Sequence, residues 1–215
     1  MRTVVITGAS GNLGRAVADA FANENVVLLD VRSPATTQRF IQTDLLDAKS
    51  VQSALDQVGR VDVLCNLAGA FRMGAPVHET SDKDWEFLFN LNARTVLNTA
   101  KAAVPGMIKA GGGKIVNVGA FAAQKGAAQM GAYIASKSAV IRLTETMAAE
   151  LREHNINVNC VLPTIIDTPE NRKAMPEADA ARWVAPQDLA NVIVFLASDA
   201  ARAIHGAALP VTGLS

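Results

Sequence analysis

Tyr133 and Lys137 are the residues whose types and spacing could do proton chemistry: a phenol, and an ammonium four positions later on the same apolar, Ala-rich stretch. On a helix, neighbours at i and i+4 lie about 5 to 6 Å apart at Cβ. Lys137 would then hold a positive charge near the Tyr133 hydroxyl and favour phenolate. A free tyrosine has a pKa of about 10, and a nearby opposite charge lowers such a value by roughly 1 to 3 units, toward the range useful in acid/base catalysis. The same pair also occurs on ordinary amphipathic helices as a surface contact, so its meaning depends on the elements that position it.

Those elements alternate. Apolar runs at 3–7, 26–30, 40–43, 61–66, 114–118, 156–162 and 207–211 read as strands, and helical periodicity covers 14–22, 47–58, 82–109, 130–154 and 187–198. A bend or break is expected in the long helix near Pro105-Gly106. The stretch 168–183 reads as polar and irregular. Strands alternating with helices predict a single-domain α/β fold over 1–215, a doubly wound parallel sheet of Rossmann type. The connection from Val31 to Gln38 is shorter than the 10 to 12 residues or so of a full crossover, so it predicts a loop in place of a helix between strands 2 and 3.

At 215 residues and 50% hydrophobic content the chain has ample material for one core, and its 20 basic and 20 acidic residues cancel. That balance offers nothing to a nucleic acid or an acidic membrane surface, and no run approaches 18 consecutive apolar residues. The segment before the first glycines is too short for the apolar region of a signal peptide. Cys65 and Cys160 lie far apart in apolar strands, which reads as buried thiols in a reducing, cytoplasmic setting. His78, His154 and His205 are scattered without ligand spacing. They read as surface histidines, and no metal is expected.

Sheets of this kind bind ligands at the carboxyl ends of their strands, where the remaining candidates converge. Thr7-Gly8-Ala9-Ser10-Gly11-Asn12-Leu13-Gly14 puts three glycines between a strand and a helix. Backbone without Cβ atoms can approach a pyrophosphate there, and the helix N-terminus favours its charge. Asp30 ends the second strand, where a carboxylate accepts hydrogen bonds from a ribose and repels a 2′-phosphate. NAD(H) is therefore preferred and NADP(H) is possible, the latter through Arg32.

With these residues in view, the chain resembles the short-chain dehydrogenase/reductase family over essentially its whole length. The resemblance is carried by TGxxxGxG at Thr7 to Gly14, Asp44-Leu45, Asn66-Leu67-Ala68-Gly69, Asn92 seven residues after Trp85, and YxxxK at Tyr133 to Lys137. It implies a nicotinamide cofactor and hydride transfer coupled to protonation by Tyr133. Lys137 would bind the nicotinamide ribose and lower the tyrosine pKa, and Asn92 would hold a water in a proton relay. Gly8, Ser10, Gly11, Asn12, Leu13 and Gly14 would contact the cofactor, with Asp30 on the ribose and Asp44 and Leu45 at the adenine. Asn66, Ala68 and Gly69 would line it and support the sheet, and Pro163 and Thr168 would lie near the nicotinamide. The family often forms homodimers or homotetramers through long helices such as 82–109 and 130–154.

One position departs from that pattern. Where the family places a serine, in segments like Asn-Ile-Ser-Ser, this chain has Asn117-Val118-Gly119-Ala120. Losing one oxyanion-type donor costs about 100- to 1,000-fold, roughly 2.7 to 4 kcal/mol, against total accelerations worth about 8 to 23 kcal/mol. Catalysis survives such a loss most readily on a reactive substrate. The run from Val161 to Asp179, with Leu162-Pro163, Asp167-Thr168-Pro169 and Asn171-Arg172-Lys173, resembles the dihydropteridine reductase branch of the family. That branch shares the absent serine and the short second connection. The resemblance implies reduction of a quinonoid dihydropterin. The stretch 171–183 itself reads as a substrate lid offering Arg172, Lys173, Met175 and Trp183, with a plain surface loop closed by Pro176 and Pro186 as the other reading. Two alternatives stay open: a 3-oxoacyl or sugar carbonyl reductase in which Gln124 or a water replaces the serine, and an inactive NADH sensor.

Overall fold

The computed structural model describes all 215 residues. Seven parallel strands form one sheet: β1 (Thr3–Thr7), β2 (Asn25–Asp30), β3 (Arg39–Gln42), β4 (Val63–Asn66), β5 (Gly113–Val118), β6 (Ile156–Pro163) and β7 (Ala208–Val211), in the order β3-β2-β1-β4-β5-β6-β7. The order reverses beside β1, so a crevice opens between the β1 and β4 carboxyl ends, the switch point where ligands bind in open α/β sheets. The chain from Val31 to Gln38 contains no helix, as its length predicts.

Helices cover both faces. On one, α1 (Asn12–Ala20) and α7 (Pro186–Leu196) pack Val17, Phe21, Leu189 and Ile193 against Val4, Ile6 and Leu28. On the other, α2 (Ala48–Val58), α4 (Thr95–Ala110) and α5 (Gly131–Leu151) meet Val5, Val27, Leu64, Ile115 and Val158. Burial on both faces is why these strands read as continuous β-branched and Leu-rich runs rather than as alternating ones. The caps are local. Asp47 accepts from the Lys49 N–H at 2.9 Å to start α2, and Ser81 accepts from the Asp84 N–H at 3.1 Å to start α3 (Asp82–Phe89).

The long helical stretch after β4 breaks at a different place from the one its proline predicts. Pro105 lies inside an unbroken α4, while Asn90 to Arg94 form a π-turn between α3 and α4. Pro105 removes one backbone donor, and α4 continues through it. The π-turn instead adds a residue to the helix where Asn92, with 1% of its surface exposed, reaches the loop after β4 and α5. The segment 168–183 also carries more order than its polarity suggests. Thr168 caps a short helix, α6 (Pro169–Ala174), by accepting from the Asn171 N–H at 3.2 Å.

Four buried side chains tie the layers together through the sheet. The Thr99 hydroxyl of α4 donates to Asn66 Oδ1 at 2.8 Å, Asn66 Nδ2 donates to Asn117 Oδ1 at 2.8 Å, and Asn117 Nδ2 donates to the Thr144 hydroxyl of α5 at 2.9 Å. Each amide is paired, which is the condition for burying it without a penalty.

Candidate active site

The glycine loop is shaped by close approach. Gly8 takes φ +65°, and a Cβ there would lie 2.8 Å from the Ala68 backbone, so the loops after β1 and β4 touch. A Cβ at Gly14 would lie 2.5 Å from the Gly8 carbonyl oxygen, closing the turn against α1. Gly11 occupies the α1 N-cap and supplies no side-chain acceptor. The first-turn N–H groups, those of Asn12 and Leu13 included, therefore meet no cap, and the helix dipole adds positive potential there. This cradle fits a pyrophosphate.

Asp30 closes the other side of the loop. Its Oδ2 accepts from the Ser10 N–H at 3.0 Å and the Ser10 hydroxyl at 2.8 Å, and its Oδ1 accepts from the Arg32 N–H at 3.1 Å. Oδ2 is filled by its two bonds, and Oδ1 keeps capacity to accept from a ribose hydroxyl. Asp44 is exposed, with its carboxylate accepting from the Leu46 N–H at 2.9 Å, and Leu45 beside it is buried. Leu45 and Leu46 are held by Asn98 Nδ2, which donates to both carbonyls at 2.9 and 3.2 Å. Ala68 lines the crevice, its N–H donating to the Thr7 hydroxyl at 3.3 Å. Asn66 does not face the crevice; its amide is spent in the buried chain to Thr99 and Asn117, where it supports the sheet.

Tyr133, Lys137, Asn92 and Gly69 come together. A Cβ at Gly69 would lie 2.8 Å from Asn92 Oδ1 and 3.0 Å from Lys137 Nζ, so only glycine leaves room there for both groups. Both ends of the Asn92 amide grip Ala70: Oδ1 accepts from its N–H at 2.8 Å, and Nδ2 donates to its carbonyl at 3.1 Å. Asn92 Nδ2 also donates to the Ser136 hydroxyl at 2.9 Å, and that hydroxyl donates to the Tyr133 carbonyl at 2.8 Å. The π-turn, the β4 loop and the first turn of α5 thus form one bonded unit around the phenol.

The electrostatics of the pair differ from what the i, i+4 spacing predicts. Lys137 Nζ donates to the Val118 carbonyl at 2.8 Å, at the end of β5. Burial lowers the Lys137 pKa from 10.5 to about 8 and raises that of Tyr133 from 10.0 to about 12. Desolvation disfavours both charged forms, and within the chain it outweighs any attraction between them. Tyr133 is consequently a neutral phenol across the working pH range, a proton donor, and Phe71 packs edge-on against its ring at 4.9 Å between centroids.

Ala120 puts a buried methyl into the apolar cluster against which Tyr133 packs, with Val96, Ala123 and Leu162, and it offers no donor. Gln124 is exposed in the following turn. Pro163 ends β6 at the same rim, and the Thr168 oxygen caps α6 while its O–H stays able to donate. Glu170 reaches the glycine loop, accepting from Asn12 Nδ2 at 2.8 Å. Two of the four residues expected on the lid are otherwise engaged. Trp183 is buried, and Arg172 forks onto the Asp167 carboxylate at 2.6 and 2.7 Å. His205 is likewise half-buried rather than a surface residue, with its Nε2 3.2 Å from Asn157 Nδ2. No three His, Cys, Asp or Glu side chains gather into a possible metal site.

Residues 2–179 match the family described as short chain dehydrogenase. A D-threitol dehydrogenase of Mycolicibacterium smegmatis is 34% identical, the match covering 99% of this chain and 92% of the relative. The chain belongs to the short-chain dehydrogenases. A 3-oxoacyl-[acyl-carrier-protein] reductase of Thermotoga maritima is 31% identical over 99% of this chain and 96% of that one. Among solved structures, carveol dehydrogenase from Mycobacterium avium in complex with NAD superposes with a TM-score of 0.87, at 28% identity over 99% of this chain and 96% of that one. ElxO with NADP bound superposes with a TM-score of 0.91, at 26% identity over 99% and 97%.

As a short-chain dehydrogenase the protein is an NAD(P)-dependent oxidoreductase, and its glycine cradle and ribose-side carboxylate suit that cofactor. Sequence reasoning missed Ser136, the Val118 carbonyl, Phe71 and Glu170. A serine on a strongly apolar face beside Lys137 was the visible signal for the first. The other three depend on contacts across the fold.

Proposed function

We propose that this short-chain dehydrogenase is an NADH-preferring reductase of planar, electron-poor acceptors such as a quinonoid dihydropteridine. One observation carries the reading: directly after β5, in the apolar cluster against which Tyr133 packs, Ala120 presents a buried methyl and no hydrogen-bond donor. A ketone gains much from a second donor on its developing oxyanion. A quinonoid ring spreads that charge over its own heteroatoms and needs hydride and a proton more than a polarised carbonyl. When bound, the reduced nicotinamide supplies the hydride. Tyr133 Oη holds the proton that goes to the acceptor, Lys137 Nζ meets the nicotinamide ribose and stabilises the phenolate left behind, and Asn92 sits in the water relay that restores the proton.

The Asp30 carboxylate, pinned by Ser10 at the ribose side, supports NADH over NADPH. The two free, buried cysteines, whose thiols burial pushes up to about 12 for Cys65 and about 11 for Cys160, support a reducing cytoplasmic setting. Assembly as a homodimer or homotetramer is supported by apolar side chains left exposed on helix and edge-strand faces, Trp85, Phe195 and Leu209 among them.

Mixing the protein with NADH and a panel of quinonoid dihydropterin, quinones and small ketones, and following cofactor absorbance, tests the reading. Oxidation by the quinonoid acceptors is expected, and Tyr133→Phe should lower it at least about 100-fold while NADH still binds. Unchanged turnover in that variant would overturn the role of Tyr133. No oxidation by any acceptor despite tight NADH binding would turn the assignment to a sensor. A second reading, reduction of sugar or 3-oxoacyl carbonyls, is favoured by the names of the relatives. On that reading Ala120→Ser raises ketone turnover; a fall or no change counts against it.

A further inference from the structure

The segment 168–178, where the expected lid begins, is tied to the rest of the protein by little. None of its residues is buried. Its hydrogen bonds run almost entirely within 166–178: Thr168 caps α6, Asn171 Nδ2 donates to the Ile166 carbonyl at 2.8 Å, and Arg172 forks onto Asp167. One bond leaves it. Glu170 accepts from Asn12 Nδ2 at 2.8 Å, joining α6 to the glycine loop. A segment with so few buried contacts opens at low cost, so this single bond has a large share in deciding where α6 rests. Its other partner is no ordinary surface residue. Asn12 begins α1, in the turn whose N–H groups meet no side-chain cap, and Arg15 donates to Asn12 Oδ1 at 2.7 Å, which leaves the amide nitrogen turned toward Glu170. The contact sets a carboxylate at the positive end of α1, beside the turn that suits a pyrophosphate. A carboxylate and a pyrophosphate are drawn to the same donors and repel each other.

We infer that Glu170 is a latch: its carboxylate holds α6 against the glycine loop through Asn12, and the pyrophosphate of the dinucleotide displaces it, so that cofactor binding and release of the lid are coupled. This rests on the cradle's holding a dinucleotide pyrophosphate, and not on which acceptor is reduced. The coupling is reciprocal, since whatever the latch takes from cofactor affinity the cofactor takes from the hold of the latch. A ligand that binds one fraction of a population has its affinity lowered by that fraction. A single hydrogen bond shifts such an equilibrium about three- to tenfold, which sets the size of the effect.

Calorimetric titration of NADH into the full-length protein tests the latch without any acceptor. Glu170→Ala should lower the Kd about three- to tenfold. Glu170→Gln keeps an acceptor for Asn12 and removes the charge, and its Kd should fall between those of Glu170→Ala and the wild type. Lys173 is exposed on α6, and tryptic cleavage after it, in samples without cofactor, should be faster in Glu170→Ala than in the wild type. An NADH Kd that is unchanged or higher in Glu170→Ala overturns the inference, and so does cleavage at equal rates. Tighter NADH binding and faster cleavage in Glu170→Ala, in a protein that reduces no quinonoid acceptor, leave the latch standing and sink the proposed reaction instead.

Discussion

At the scale of single residues, the site is governed by desolvation. Lys137 is buried with one carbonyl as its hydrogen-bond acceptor, and its pKa falls to about 8 while that of the unfolded chain stays near 10.5. Between those values the unfolded chain holds a proton that the folded chain lacks, so the stability contributed by this group rises with pH across that window. Below pH 8 the charged, buried ammonium is a standing cost. Lys137→Met removes the titration while keeping a chain of similar length. The unfolding free energy of the wild type, measured by denaturant against that of the variant, should therefore gain about 3 kcal/mol between pH 8 and 10.5. A difference that does not move with pH would show that Lys137 is not desolvated as the fold implies. The same burial keeps the Tyr133 phenol neutral, which suits it to donating a proton and leaves the stabilisation of phenolate to a charge that becomes effective only during the reaction.

At the scale of elements, the π-turn at Asn90 to Arg94 is what brings a helix amide to the β4 loop. Asn92 satisfies the Ala70 N–H and carbonyl and the Ser136 hydroxyl together. Asn92→Leu keeps the volume and strips all three bonds. Leaving buried polar groups unpaired costs about 1 to 3 kcal/mol each, so this variant should unfold at clearly lower denaturant. Its turnover should fall more than tenfold, because Phe71 and Tyr133 lose their common anchor. Turnover retained at wild-type level in a folded Asn92→Leu protein would show that the clamp does not position the site. Helix bounds were legible where caps are local, as at Asp47 and Ser81. The π-turn was not, because Asn90 to Arg94 carry no residue that breaks a helix. Pro105, which does, was absorbed by α4.

At the scale of the molecule, cofactor binding and stability are linked, since a ligand that binds only the folded chain stabilises it by about 2.7 kcal/mol at 100 times its Kd. For a chain of this size each kcal/mol is worth roughly 2 to 4 °C in Tm. NADH should thus raise Tm by about 5 to 10 °C, and NADPH at the same concentration by much less, because Asp30 meets its 2′-phosphate. Asp30→Ala should narrow that gap. Equal shifts from both cofactors in the wild type would remove the preference for NADH. Sedimentation of the same samples reads the assembly directly, and a monomer at micromolar concentration would remove the proposed homo-oligomer.

The alternating α/β layout, the glycine loop, the short second connection and the meeting of the Gly8 loop, Asp30 and Gly69 at one rim were legible in the sequence, whereas the order of the strands came from the structure. The legible features depend on periodicity, on turn chemistry and on the rule that parallel strands present their carboxyl ends together. Tertiary structure alone decided the direction of the two pKa shifts, the exact partners of Asn66 in the buried chain, the burial of Trp183 and the contact of Phe71 with Tyr133. Each of these depends on which groups far apart in the chain exclude water from one another, and spacing along a sequence carries no record of that.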